Sequence, residues 1–345
     1  MERERLYYLA FAGMQDFYAG RRVLVTGGAG AIGSNLVKAL VFLGSRVVVV
    51  DDLSSGYLCN LQSVQDQIAL VQGDIAQERL IEQLGRGRFD LVFHLAAFFA
   101  NQNSVDHPEQ DLATNGLGTL KLCQWALASG VGRFVFASSS CVYGNAAGQI
   151  SEAMPLDPHT PYAMTKVLAE EYLRFYGRRS GLETVILRYF NSFGPGEFPG
   201  PYRNVIPNFF ARALRREPLP LLGTGEETRD FTFVVNTIRG TLLAGMVPAA
   251  AGEVLNIGTG QETCIVDLAM AINEIAGNPA GVVYQERRSW DRIERRCAGI
   301  DRAGAVLGYG PLVGLEEGLR ETHRWFLAMA GQAALPAGDR ALATA

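Results

Sequence analysis

RVLVTGGAGAIGSNLVKALVFLGSRVVVVDD, residues 22–52, decides how this chain folds. RVLVT, 22–26, is a short apolar strand, and the glycine run TGGAGAIG follows at once at 26–33. Between Ser34 and Gly44, the residues Leu36, Val37, Leu40 and Val41 recur at helical spacing and give one apolar face. RVVVVDD, 46–52, is then a second strand, apolar on both faces and ending in two carboxylates. Strand, tight turn, helix, strand is a βαβ unit. Its unbroken valine runs predict a parallel sheet covered by helices on both sides.

The alternation continues outward. Strands are expected at 68–71, 89–95, 134–137 and 184–191, with helices around 76–84, 114–128 and 161–178. FGPGEFPGPYRN, 193–204, breaks the pattern with glycine and proline. Beyond it we expect a helix at 204–216, short elements at 219–235, a helix near 237–247 and mixed structure to about 328. The fold class is therefore α/β, a Rossmann-type doubly wound parallel sheet with a smaller, partly interleaved C-terminal substrate lobe. Residues 1–20 read as an N-terminal extension and 21–190 as mainly a dinucleotide-binding domain. Residues 191–328 read as mainly a substrate lobe with segments returning to the large domain, and 329–345 as a tail.

Gly27, Gly30 and Gly33 fit the turn that holds a dinucleotide. Gly27 makes the turn, Gly30 lets backbone approach a pyrophosphate, and Gly33 permits close helix–strand packing. The helix-start N–H groups around Ala31 and Ile32 then face the anion. Asp51, after the second strand, is placed to accept from both ribose hydroxyls. Its charge would repel a 2′-phosphate and so favours NAD over NADP. Asp52 competes for that task. Asp74, followed by Ile75, suits contact with adenine, or caps a turn. Leu95, Ala96 and Ala97 let the chain pass beneath the cofactor with little bulk. Asn115 either fastens that loop through side-chain hydrogen bonds or starts a helix.

PYAMTK places Tyr162 and Lys166 four residues apart on one helix face. A phenol has an ordinary pKa of about 10. A neighbouring ammonium and a positive nicotinamide ring would favour its phenolate, a useful base, and Lys166 can also hold the nicotinamide ribose. Ser139, just beyond the 134–137 strand, could bond the reacting oxygen. Ser138 and Ser140 compete with it, because alternation alone does not choose. Cys141 reads as an extra proton donor or as a small buried thiol.

TGGAGAIG, DDLSSG, GDI, HLAA, SSSCVYG, PYAMTK, RYFNSFGPG and TRDFTFV follow one another over residues 21–328. In that order they resemble the extended short-chain dehydrogenase/reductase family, in particular its NAD-dependent nucleotide-sugar epimerases and dehydratases. The UDP-glucose 4-epimerase group is nearest in pattern. The resemblance selects Ser139, three residues before Val142, and implies Tyr162 as base and acid with Lys166 as its electrostatic partner. It implies a substrate grip by Asn191 on the diphosphate, by Asn204 and Val205 in the nucleotide pocket, and by Arg229, Arg288 and Asp291 on diphosphate and ribose. The reaction implied is reversible 4-epimerisation of a nucleotide-diphosphate sugar, UDP-linked by preference, through a transient 4-keto sugar. A homodimer paired through helices near 103–128 and 157–178 is also implied.

Departures rank the alternatives. Related dehydratases place Asp–Glu where this chain has Ser140 and Cys141, and decarboxylases use a nearby glutamate that is absent here. SSCVY resembles the GDP-sugar 3,5-epimerase/4-reductases, but Gly196 stands where their histidine is expected. RRSWD lacks the usual glycine beside Arg288. A nucleotide-sugar dehydrogenase or reductase is the second reading, and an NAD-binding regulatory protein the non-enzymatic one. Phe98 and Phe99 form an apolar wall or core packing, and the loops 98–108 and 194–204 surround sugar or diphosphate.

Composition narrows the field. A formal charge of −4 argues against nucleic-acid or membrane partners. Arg215–Arg216 and Arg295–Arg296 read as solvated surface before phosphate contacts. Five scattered cysteines and four scattered histidines show no disulfide framework and no metal site, which points to reducing cytoplasm. Neither a secretory signal nor a stretch of about 20 apolar residues is found.

Overall fold

The computed structural model describes residues 9–85, 87–146, 148–287 and 293–330. Seven strands form one parallel sheet: β1 (Arg22–Thr26), β2 (Arg46–Asp51), β3 (Ile68–Gln72), β4 (Leu91–His94), β5 (Arg133–Ser139), β6 (Glu183–Tyr189) and β7 (Val254–Ile257). Their order across the sheet is β3-β2-β1-β4-β5-β6-β7, so the chain reverses direction of travel between β1 and β4. That reversal opens a crevice at the carboxyl edge, where doubly wound sheets bind ligands.

Two apolar layers flank the sheet because successive side chains of a strand point to opposite faces. On one face Val23, Val25, Val135, Val185 and Leu187 join Leu36, Val37 and Leu40 of α1 (Ala31–Phe42). On the other, Leu24, Val92, Phe134, Phe136 and Ile186 meet Leu80 and Leu84 of α2 (Glu78–Leu84). Leu122 and Trp125 of α3 (Thr119–Ala128) and Ala169 and Leu173 of α4 (Pro161–Ser180) complete that layer. α1 starts at Ala31, three residues before the sequence pattern suggests, so its first turn lies inside the glycine run.

Past the glycine–proline stretch come α5 (Val205–Leu214), α6 (Val234–Met246), α7 (Ile265–Ala276) and α8 (Leu315–Ala330). Short strand pairs tie this part together: Leu219–Leu222 with Val282–Gln285, Thr228–Arg229 with Thr263–Cys264, and Ser192–Phe193 with Thr232–Phe233. α6 and β7 return to the large layer, and Cys297–Ala298 pairs with Gln149–Ile150. The N-terminal residues from 9 onward are not loose: Phe11, Met14 and Tyr18 are buried in the main core, and Tyr18 donates to Leu242 O at 2.6 Å.

Candidate active site

At the carboxyl edge of β1, the glycine turn is held by contacts that exclude side chains. A Cβ on Gly27, whose φ is +69°, would lie 2.6 Å from Ala96 N, and one on Gly33 would lie 2.0 Å from Gly27 O. Gly30 is the residue before α1, and only Gly27 O stands near its missing side chain. Gly27 to Gly33 therefore present backbone and a helix start to a cavity of about 360 Å³. Asp51 closes one end of this cavity. Its carboxylate accepts from Ala29 N at 2.8 Å and Leu53 N at 2.9 Å, and burial pushes its pKa up against those two bonds. Each oxygen keeps a lone pair for a further donor. Asp74 accepts from Ala76 N at 2.8 Å, and Ile75, Leu95, Ala96 and Ala97 also line the space. An adenosine carboxylate, small residues under the ring path and a helix start facing the phosphates are what bound NAD requires of a protein.

Asn115 is at 1% exposure and lies behind the wall rather than in it. Its amide accepts from Phe98 N at 2.8 Å and donates to Phe98 O at 3.1 Å, so it fixes the 95–98 loop. It sits in a widened helical turn, Leu112–Gly118, that continues into α3. Of the two roles the sequence left open, loop fastening is the one the geometry shows.

Ser139, Tyr162 and Lys166 converge on the same cavity from β5 and α4. Thr160 caps α4 by accepting from Ala163 N, and Pro161 begins it, a local pattern that fixes where the helix starts. The three competing serines separate cleanly. Ser138 donates to buried Glu170 at 2.6 Å and Ser140 is buried, while half-buried Ser139 accepts from Cys141 N at 3.2 Å. Phe99 packs edge-on against the Tyr162 ring with centroids 6.1 Å apart.

The electrostatics differ from the sequence expectation. Burial, then Cys141 and Asp111, push the Tyr162 phenol well above its ordinary pKa, against a hydrogen bond from Ser139. Lys166 Nζ donates to Ala137 O at 2.9 Å and lies 5.6 Å from the Tyr162 ring centre. Burial brings its own pKa down to about 8, with Asp111, Glu170 and Cys141 pulling the other way. The ammonium thus serves β5 and the cavity, and in the cofactor-free protein the phenol stays protonated. His94 behind them is neutral: burial and then Lys166 lower it to about 3, and its two nitrogens meet Thr26 at 2.7 Å and Thr119 at 2.9 Å.

The other wall carries the expected grip and some unexpected groups. Asn191, Asn204 and Arg229 line the cavity; Val205, packed against the core, does not. Arg288 and Asp291 lie outside the described residues. Glu197 also lines the cavity, accepts from Asn204 Nδ2 at 2.8 Å, and is pushed up to about 7 by burial, opposed by Arg203 and Asn204. Cys141 lines it as well. Burial would raise that thiol, but the Arg296 guanidinium and bonds from Ser139, Asn101 and Arg296 outweigh it and bring it below the usual value. Arg296, read from sequence as surface, is 4% exposed and faces the same cavity. Arg295 beside it pairs with Glu262 at the surface. Both precede the Cys297–Ala298 strand, and nothing in the string marks which of the two turns inward.

A family model described as NAD dependent epimerase/dehydratase matches residues 23–258. The chain belongs to that family. It is 37% identical over 309 residues to a UDP-glucose 4-epimerase of Mycolicibacterium smegmatis, covering 88% of this chain and 98% of that one. An epimerase structure from Methanothermobacter thermautotrophicus superposes with a TM-score of 0.89 at 47% identity, over 92% of this chain and 96% of its own. A dTDP-glucose 4,6-dehydratase of Streptomyces venezuelae, solved with NAD bound, does so with a TM-score of 0.84 at 33% identity, over 90% and 98%. The protein is accordingly an enzyme of the NAD-dependent epimerase/dehydratase family, with the doubly wound fold of its relatives.

Proposed function

We propose that the protein interconverts C4 epimers of a nucleotide-diphosphate sugar, UDP-linked by preference, through a transient 4-keto sugar. The observation that carries this reading is the convergence of Ser139, Tyr162 and Lys166 in one cavity whose described lining has Ser140 and Cys141, not carboxylates, directly after Ser139. The acids on its described lining are Asp51 and Asp52 after β2, Asp74 after β3, and Glu197 beside Asn204. Dehydration needs an acid at the C6 hydroxyl and a base at C5. Ser140 and Cys141 offer no carboxylate for either task.

NAD, when bound against Gly27–Gly33, supplies a reversible hydride acceptor. Ser139 holds the C4 oxygen, Tyr162 exchanges its proton, and Lys166 places positive charge under the site. Asn191, Asn204 and Arg229, with Arg288 and Asp291, hold the diphosphate and nucleoside while the ring turns. The walls at Phe98 and Phe99 keep the intermediate from water. A second reading, a nucleotide-sugar reductase of the 3,5-epimerase type, draws support from Cys141 in the cavity, but Asp51 disfavours the NADPH it would consume. Five free cysteines support the reducing cytoplasm, and among the described residues no helix is long and apolar enough to cross a membrane.

The test is incubation with UDP-, dTDP-, GDP- and CDP-sugars without added cofactor. A C4 epimer is expected from at least one, with turnover reduced about 10²–10⁴-fold in Tyr162→Phe. Activity only with added NADPH would contradict the proposal.

A further inference from the structure

Three arginines are buried among the described residues: Arg133, Arg188 and Arg296. Two have a carboxylate, Glu183 at 2.7 Å from Arg133 and Glu170 at 2.6 Å from Arg188. Arg296 forms no ion pair with any described carboxylate. Its Nη2 donates to Gly144 O at 2.9 Å, its Nη1 faces the Cys141 sulfur at 3.6 Å, and its Nε has no partner. A buried guanidinium is stable when an anion accompanies it and its N–H groups are bonded. A thiol sulfur at that distance is a weak acceptor and leaves Nε untouched. Of the three buried arginines, Arg296 is also the one that lines the cavity.

Its position says which end of the ligand it meets. Arg296 rests on the turn that follows Ser139: it touches Cys141, whose N–H donates to Ser139 Oγ at 3.2 Å. Asn101 reaches the same sulfur at 3.4 Å and accepts from Thr160, the cap of the helix bearing Tyr162, at 2.8 Å. The guanidinium therefore borders the groups assigned to the reacting C4 oxygen. The ring position next to C4 that can carry an anion is C5, through a carboxylate at C6. A planar carboxylate pairs with a guanidinium through charge-assisted N–H bonds, and Arg296 is the buried arginine whose side chain borders this cavity.

We propose that Arg296 recognises the carboxylate of a nucleotide-linked hexuronate, making an acidic sugar the preferred substrate over the neutral hexose. This rests on the nucleotide-sugar reading above and adds the charge of the sugar. UDP-glucuronate and UDP-glucose differ at C6 alone, so the ratio of their kcat/KM values, measured as substrate consumption by the NAD-loaded protein, isolates the contact. The wild-type ratio is expected to favour UDP-glucuronate at least fivefold; a smaller ratio overturns the proposal. In Arg296→Gln the preference should fall to about unity, whatever the absolute rates, with Arg296→Lys keeping part of it. An equal loss for both sugars, with the ratio unchanged, would place the guanidinium on the diphosphate and also overturn it. If neither sugar is consumed, the epimerase reading fails separately. The calorimetric Kd ratio for the two UDP-sugars, judged by the same fivefold threshold, then decides the inference on its own.

Discussion

Tyr162 shows how far a single residue can be read without its surroundings. Its spacing from Lys166 was legible because four residues return a helix to the same face, and both side chains do reach one cavity. Its ionisation was not legible, since burial raises the phenol and turns the ammonium toward Ala137 O. Ser139 could be chosen from residues alone only by resemblance; the structure adds that Ser138 is engaged by Glu170. Arg296 escaped notice because two adjacent arginines look alike in a string, while one faces Glu262 at the surface and the other a cavity. Lys166 supplies the pH test at this scale. Its folded pKa of about 8 lies below the ordinary 10.5, so between those values the unfolded chain binds the extra proton and stability rises with pH. At pH 7 the buried charge costs up to about 3 kcal/mol. The stability advantage of Lys166→Met over wild type, measured by denaturant melts of the cofactor-free protein, should shrink as pH climbs from 8 to 10.5. A difference that does not change across that range would show that Lys166 titrates normally.

Elements with a strong period were readable from the sequence. β1, α1 and β2 follow because valine alternation, glycine turn and helical spacing agree, and the sheet order obeys the same logic. Ends were less so: α1 begins within the glycines because Gly33 tolerates contact with Gly27 O that no side chain would. The pairs of two-residue strands at 228–229 and 263–264, or 192–193 and 232–233, were invisible, as their partners are remote in sequence and no local pattern marks them. The widened turn at 112–118 carries two glycines and an asparagine, poor helix formers kept for what Asn115 does to the 95–98 loop. Replacing Asn115 with Ala would leave Phe98 N and O without that partner, a loss of about 1–3 kcal/mol. Calorimetric titration of NAD into stripped protein should show roughly tenfold weaker binding. Unchanged affinity would mean the loop is held by other contacts.

At the scale of the molecule, α4 has two faces that serve different ends. Tyr162 and Lys166 point into the cavity, whereas Met164, Leu168 and Phe175, about 180° round the helix, are 54, 38 and 49% exposed. Leu112 and Leu117 on the neighbouring helical segment are exposed too. We propose that a second copy covers this stripe. Light scattering should give twice 37.4 kDa for the wild type, falling toward the monomer in Leu168→Glu/Phe175→Glu; a monomeric wild type would refute the pairing. The central claim concerns the whole reaction: hydrogen leaves and returns to the same sugar carbon while Tyr162 handles only the hydroxyl proton. Its most direct test uses UDP-glucose and UDP-glucuronate carrying deuterium at C4, incubated without added cofactor and followed by NMR and mass spectrometry. The account predicts that the C4 epimer retains the deuterium and that no NADH accumulates. Loss of the label to solvent, or NADH formed in step with substrate consumed, would contradict it.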